Sequence, residues 1–443
     1  MKKKLVAGLM SATMAMTLLA GCGSTAEAPA ADAPAAEESA APAAEETPAA
    51  EEAAEEITDY GTGDIKVWVA ENTVEFTQNK IKEWQDANPQ FAGYNVTVEP
   101  VGEGDAAGNM ITDVEAGADI YAFAQDQIAR LVTAGALEEV APENQDAVKS
   151  QNDEGSVEAA TVGGVLYAYP LTSDNGYFLY YDKSVVTDPT SLEKIVADCE
   201  AAGKNFYFEL NSAWYQTAFF FGTGAELTYD TDADGNFTAC NVTYASPEGV
   251  VALKEMIELS ESKAFQNGSS VDKATDLAAI VDGTWDKAAA KAAFGDNYAC
   301  AKLPEFEGAD GKTYQLSGFG GYKLLGVKPQ EDELKLAVCD ALAAYLSGED
   351  VQKARFEDEN IGWGPSNKNV QASDAVKSDE ALTALAEQLQ YSIPQGQYPG
   401  DYWSLGTSLG DSIIAKEVTS SSSDDDLMKV LQDFQDTCIS YAK

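Results

Sequence analysis

The sequence predicts an α/β protein. Three observations carry that expectation. Short apolar or alternating runs that read as strands take turns with amphipathic runs that read as helices. Helix start and stop signals fall between them. About 380 residues follow Tyr60 at an ordinary apolar content, enough for two domains or one large bilobal one.

In chain order, residues 65–70 read as a buried strand, 74–87 as a helix stopped by Asn88-Pro89, and 94–101 as an alternating strand. The unit is strand, helix, strand. Residues 105–115 then read as a helix, 119–124 as a strand and 126–133 as a helix ending at Gly135. Such alternation predicts a mostly parallel sheet covered by helices on both faces. A second series starts with a helix from Glu193, a strand over 205–210 and a helix over 214–221. Ser246-Pro247-Glu248 opens a further helix, with an N-cap hydroxyl, a proline in the first turn and an acid at the positive end of the dipole.

Ahead of this body, Lys2, Lys3 and Lys4 precede an uncharged, largely apolar run that ends in Leu19-Ala20-Gly21-Cys22. That is the layout of a secretory signal over residues 1–21. From Gly23 to Asp59 the chain collapses to Ala, Glu, Pro, Ser and Thr, with almost nothing able to join a core. Repeated prolines break any Ala/Glu helix there, so residues 22–59 read as an extended acidic linker.

Composition excludes several classes of function. The formal charge is −46, and removal of the three signal lysines takes it to −49, so nucleic acid is not an expected partner. The chain contains no histidine, which removes Ser-His-Asp and Cys-His catalysis and most metal enzymes. Beyond Cys22 the cysteines are Cys199, Cys240, Cys300, Cys339 and Cys438, an odd set at spacings that match no zinc pattern. Cys199 and Cys339 lie in amphipathic helical stretches and read as small buried apolar side chains, with a disulfide as the alternative. No cofactor is expected.

The stretches Ile65-Lys66-Val67-Trp68-Val69, Ala118-Asp119-Ile120-Tyr121, Leu166-Tyr167-Ala168-Tyr169-Pro170, Tyr180-Tyr181-Asp182-Lys183, Asp282-Gly283-Thr284-Trp285, Ile393-Pro394-Gln395 and Tyr402-Trp403 are each unspecific. Their order and spacing together resemble the family of extracellular solute-binding proteins typified by the maltose/maltodextrin-binding protein, over nearly all of the chain after Gly63. Leu-Ala-Gly-Cys resembles the lipobox of bacterial lipoproteins, which implies that Cys22 is diacylated and anchors the protein to the outer face of the membrane. The resemblance implies a two-lobed periplasmic-binding-protein type II fold, with a hinge and an interlobe cleft. The solute-binding body would span residues 60–443, with a first lobe over about 60–172 and 317–357 and a second over about 173–316 and 358–443. Crossings are expected near 172–176, 316–320 and 356–362. The implied role is capture of an oligosaccharide, a maltooligosaccharide first among them, for the permease subunits of an ABC importer, by a monomer that catalyses nothing.

A sugar site combines aromatic faces for the C–H patches of the pyranose with polar partners for its hydroxyls. Trp285 aligns with a stacking Trp of the family, and Trp403, with Tyr402 beside it, with a second. Both tryptophans are expected at the cleft rather than in the core. Trp214 matches a family Tyr, although its helix is aromatic enough for core packing. Trp363 lies in the loop Gly362-Trp363-Gly364-Pro365, on no periodic apolar face. In the first lobe Phe123 and Asp126 match an aromatic and a hydroxyl-binding acid, while Gln127 replaces a sugar-binding Arg. Glu71 and Asn72 match an acid and a Lys, so the Lys is missing. Asp174, with Asn175, matches a hinge-side acid. For each carboxylate a helix cap or a solvated surface charge is the alternative.

Two other classes are kept open. A glycoside hydrolase also uses aromatics with two carboxylates, but nothing in the sequence fixes such a pair. A calcium-binding surface or adhesion lipoprotein is suggested by Asp230, Asp232 and Asp234, spaced as at the start of an EF-hand loop, although the twelfth position is Asn241 rather than Glu. Asp234-Gly235 is also a hairpin signal, and the hairpin is the favoured reading.

Overall fold

The computed structural model describes residues 59–232 and 234–442. The signal, Cys22 and nearly all of the linker lie outside them. The first β-α-β unit forms where periodicity placed it. The helix Val74–Ala87 buries Thr77, Ile81 and Trp84, spaced by four and three residues, so one stripe faces the sheet and the rest meets water. Asn88-Pro89 ends it, and Trp84 then stacks on Phe91 at 4.7 Å. The strand Gly63–Val69 is covered on both faces from Ile65 onward, as a central parallel strand requires.

Two five-stranded sheets organise the body. In the first the order is Tyr94–Pro100, Gly63–Val69, Ile120–Ala124, Lys323–Val327 and Ala168–Thr172, parallel up to Ile120–Ala124 and antiparallel beyond it. In the second it is Phe265–Gln266, Asn205–Tyr207, Leu277–Asp282, Phe178–Asp182 and Tyr298–Ala301, again parallel on one side and antiparallel on the other. Each sheet has its own apolar core, one centred on Ile65, Tyr121 and Leu342, the other on Leu179, Phe219 and Met256. The protein is therefore a mixed α/β structure of two lobes.

The chain crosses from the first sheet to the second between Thr172 and Phe178. It returns after Phe319–Gly320, which pairs with Ile393–Pro394 outside the first sheet, so re-entry occurs at Lys323 rather than at 317. The third crossing lies beyond the expected 356–362. Ile361 and Trp363 join the first core, Asn367 bridges to Asn152, and Gln371 Nε2 donates to Asp153 Oδ2 at 3.1 Å. Only with Ala381, Ala384 and Leu385, packed beside Phe178 and Tyr180, has the chain joined the second lobe. The family resemblance implied a crossing at 356–362, where the chain stays with the first core.

Caps and thiols follow the sequence. The Ser246 side chain accepts from Gly249 N to open Pro247–Glu261. The helix Leu192–Ala202 closes on Gly203 in the left-handed region, where a Cβ would be strained. Cys199, Cys339 and Cys438 are buried and Cys240 and Cys300 half-buried, all as free thiols. Among the described residues no helix is long and apolar enough to cross a membrane.

Several carboxyls are buried in ways that couple stability to pH. Burial pushes Asp340, which accepts from the Tyr169 hydroxyl at 2.8 Å, up to about 7. Burial, with Glu258 nearby, pushes Glu255 up to about 8. Such groups hold their protons in the folded state at pH values where the unfolded chain has released them, so stability falls as pH rises from about 4 toward 8. Each contributes up to about 1.4 kcal/mol per pH unit within that window. Asp119 has the opposite sign. Its burial would raise it, but the Lys66 amide and the Lys335 ammonium hold it below its ordinary value, so its contribution is lost only in stronger acid. Differential scanning calorimetry of the body without ligand should give a higher melting temperature at pH 5 than at pH 8, and Asp340→Asn should flatten that slope.

Candidate functional site

Between the two cores lies a cleft of about 1100 Å³. Its first-lobe wall comes from loops that follow strands. Glu71 and Asn72 follow Gly63–Val69, Glu103 and Asp105 open the helix Glu103–Thr112, and Asp126 and Gln127 follow Ile120–Ala124. Strand ends converge here because parallel strands deliver their following loops to one edge of the sheet. The second-lobe wall carries Trp214 at the start of the helix Ala213–Gly222, Trp285 and Asp286 after Leu277–Asp282, and Trp403 on Gly400–Ile414.

Four tryptophans line the cleft: Trp214, Trp285, Trp363 and Trp403. Trp214 packs edge-on against Tyr177 with ring centroids 4.6 Å apart, lies 5.8 Å from Trp285, and donates from Nε1 to Gln395 Oε1 at 3.1 Å. Trp285 and Trp403 are half-buried, with ring surface left for a ligand. Trp403 also leans on the second core, 5.5 Å from Tyr398 and 4.9 Å from Tyr402. It belongs to the cleft and to the core at once. Trp363 is 2% exposed and joins the first core.

Three residues expected at the cleft do not line it. Phe123 is fully buried in the first core, because strand alternation turns its ring away where Ala124 reaches the cleft. Tyr402 points into the second core and donates its hydroxyl to Ala213 O at 3.2 Å. It follows one helical position before Trp403, so the two side chains diverge by about 100° and only one can face the ligand. Asp174 is 1% exposed and accepts from Thr284 Oγ1 and Gly364 N, both at 2.5 Å, while Asn175 beside it lines the cleft.

Charge in the cleft is one-sided. Glu71, Glu103, Asp105, Asp126, Asp272 and Asp286 stand against a single basic residue among the described lining, Lys323. Asp126 is 2% exposed, and burial pushes its carboxyl up to about 7 against the opposing pull of Arg130 and Gln127. Gln127 Nε2 donates to Asp126, and Gln127 Oε1 accepts from Arg130 Nη1 at 2.6 Å. The Gln that replaces the family's Arg thus relays Arg130, one turn away, to the acid.

At the rim, amides clasp the lobes together. Gln125 Nε2 donates to Gln395 O, Gln397 Nε2 donates to Gln125 O at 3.0 Å, and Gln397 Oε1 accepts from Ala129 N at 3.0 Å. Beside them Thr133 Oγ1 donates to Asp234 O at 2.7 Å. Asp234 lies in the turn between Leu227–Thr231 and Phe237–Val242, where Asp232 Oδ1 accepts from Asp234 N and Asn236 N. The Asp230, Asp232 and Asp234 cluster is therefore a hairpin turn docked on the opposite lobe, and among the described residues no group of three or more acids or thiols is placed to hold a metal.

The lining also includes residues that the sequence did not single out. Lys323 was readable as a charge opening an otherwise apolar strand, and Gln395 stood in a quoted stretch without a role.

Sequence and structure comparisons agree with this architecture. The family described as bacterial extracellular solute-binding protein matches residues 81–384. A galactooligosaccharide-binding protein of Bacillus subtilis is 26% identical over 302 residues, 64% of this chain and 68% of that protein. A maltooligosaccharide ABC transporter solute-binding lipoprotein of Streptococcus pneumoniae is 26% identical over 424 residues, 88% and 87% of the two chains. The Thermus thermophilus maltotriose binding protein, solved with maltotriose, shares the fold with a TM-score of 0.71 at 19% identity, covering 86% of this chain and all of that one.

Asp174 ties the first crossing to both lobes. Asp174→Ala should strand the Thr284 hydroxyl and the Gly364 amide, each in a dry site, and cost about 2 kcal/mol or more of stability. Denaturant unfolding without ligand measures this, and an unchanged midpoint would show that the junction is held by other contacts.

Proposed function

The chain belongs to the bacterial extracellular solute-binding proteins, and on that premise we propose that it captures an oligosaccharide, a maltooligosaccharide or related glucan fragment, and hands it to the permease of an ABC importer. It is a binding protein, not an enzyme, as its family is. In this reading residues 1–21 are the signal, Cys22 carries the lipid anchor on the outer face of the membrane, and the acidic linker lets a monomeric body stand away from the bilayer. Two acyl chains hold a protein where one binds only marginally.

The observation that carries the reading is the composition of the cleft, where four indoles stand among six carboxylates. Indole faces cover the C–H patches of a pyranose, and carboxylates accept from its hydroxyls as water leaves. Glu71, Asn72, Asp126, Gln127, Asn175, Trp214, Trp285 and Trp403 are the proposed contacts, with Trp363 beneath them at the floor. The relatives named for galactooligosaccharide and maltooligosaccharide support the ligand class. Ligand would be clamped by approach of the lobes about the three crossings.

A thermal-shift screen against glucose, maltose, maltotriose, maltotetraose and galactooligosaccharides tests the class. A ligand at a hundred times its dissociation constant should stabilise by about 2.7 kcal/mol, and no shift with any of them would remove the oligosaccharide reading. With the sugar so identified, Trp285→Ala should weaken binding by about 2 kcal/mol, roughly thirtyfold, in calorimetric titration, with little change in ligand-free melting. Trp403→Ala should weaken binding and also lower the melting temperature, because that ring buttresses Tyr398 and Tyr402.

The anchor is tested separately. Cys22→Ala should move the protein from the detergent phase to the aqueous phase of fractionated cells, whereas unchanged membrane retention would sink the assignment.

A further inference from the structure

Lys323 is 4% exposed, yet it lines the cleft. Its Nζ stands 3.8 Å from the ring centroid of Trp363 and 4.9 Å from that of Trp285. Among the described residues it makes no hydrogen bond or ion pair, although six carboxylates share the same cleft. An ammonium carries three N–H donors and no acceptor, and π faces satisfy its charge without accepting those donors as an oxygen would. A buried cation in this state is costly unless something else completes its shell. Water can do so while the cleft is open. When a ligand expels that water, the ligand must take its place.

We infer that Lys323 is a specificity-determining residue of the cleft, which donates hydrogen bonds to hydroxyl oxygens of a neutral saccharide stacked near Trp285. This deepens, and rests on, the reading of the protein as an oligosaccharide-binding protein. The occupant is neutral because an anionic sugar would bring its charge among Glu71, Glu103, Asp105, Asp126, Asp272 and Asp286, and one ammonium cannot offset six acids. Trp363 changes role accordingly. Its ring is buried under the lysine, so it positions the ammonium instead of stacking on sugar. Gly362, at a φ of +64°, turns the loop so that Trp363 can lie there.

The test compares the parent with Lys323→Met, which keeps the length of the side chain and its contact with both indoles while removing charge and donors. Each is titrated calorimetrically with maltotriose and with trigalacturonic acid, and melted without ligand. The expected result is that the parent binds maltotriose, that Lys323→Met binds it about tenfold or more weakly, and that the ligand-free variant melts at or above the parent temperature. Equal affinity of parent and variant for maltotriose would overturn the role of Lys323, as would tighter binding of trigalacturonic acid than of maltotriose by the parent. Failure of the parent to bind either sugar would instead overturn the maltooligosaccharide reading of the ligand, and the comparison of parent and variant is then run with the saccharide returned by the thermal-shift screen. If Lys323→Met melts well below the parent, Lys323→Gln is titrated in its place. A loss of threefold or more then supports the contact, and no loss rejects it.

Discussion

The carboxylate of Asp174 is the point on which the arrangement of the molecule turns. It sits in the first crossing, accepts from Thr284 in the second lobe, and accepts from the amide of Gly364 in a loop that remains with the first core. One residue therefore fixes three segments that are far apart in the chain. Because both bonds are to a buried carboxylate, neither is easily exchanged for water, and the loops carrying Trp285 and Trp363 inherit their positions from it. Arg355 stands nearby and donates to the carbonyls of Leu171 and Leu346, which places a buried cation at the same junction. The aromatic floor of the cleft is in this sense a consequence of the hinge.

Electrostatics in the cleft follow from the same crowding. A strongly acidic protein delivers many carboxyls to the ends of its strands; burial raises one of them, Asp126, toward holding its proton, and a lysine held between indoles sets a positive charge among the rest. The cation meets π faces rather than a carboxylate, which leaves the acids free to accept from a polyhydroxylated guest. Replacement of an arginine by Gln127 does not remove the positive charge from this corner, since Arg130 reaches Gln127 from the next turn and the amide passes its influence to Asp126.

Much of this was legible in the sequence where local periodicity decides the outcome. Val74–Ala87 appears with the bounds that its apolar spacing and Asn88-Pro89 dictate, and the cap at Ser246 does what its chemistry requires. Most of the stretches quoted for the family resemblance lie in the strands and loops that build the two lobes, while Tyr402-Trp403 lies in the helix Gly400–Ile414. What was not legible depends on side-chain direction. Phe123 beside Ala124, Asp174 beside Asn175 and Tyr402 beside Trp403 are neighbours in sequence that point in different directions, and a motif two residues long cannot say which one meets the cleft. Lys323 escaped notice for a related reason. Its meaning comes from Trp285 and Trp363, which are distant in the chain and are brought to it only by the crossings.

The glutamine clasp has a bearing on where such a protein works. Extracellular fluid varies in ionic strength and acidity far more than cytoplasm does. Ion pairs across the rim would loosen in brine and tighten in dilute medium, so the rate at which the cleft gapes would track the weather outside the cell. Gln125, Gln395 and Gln397 carry no charge and titrate nowhere in that range, and their bonds to backbone groups keep the same strength throughout. These three amide contacts are therefore indifferent to screening and to protonation, even though charged groups such as Arg130 and Asp401 stand close to them.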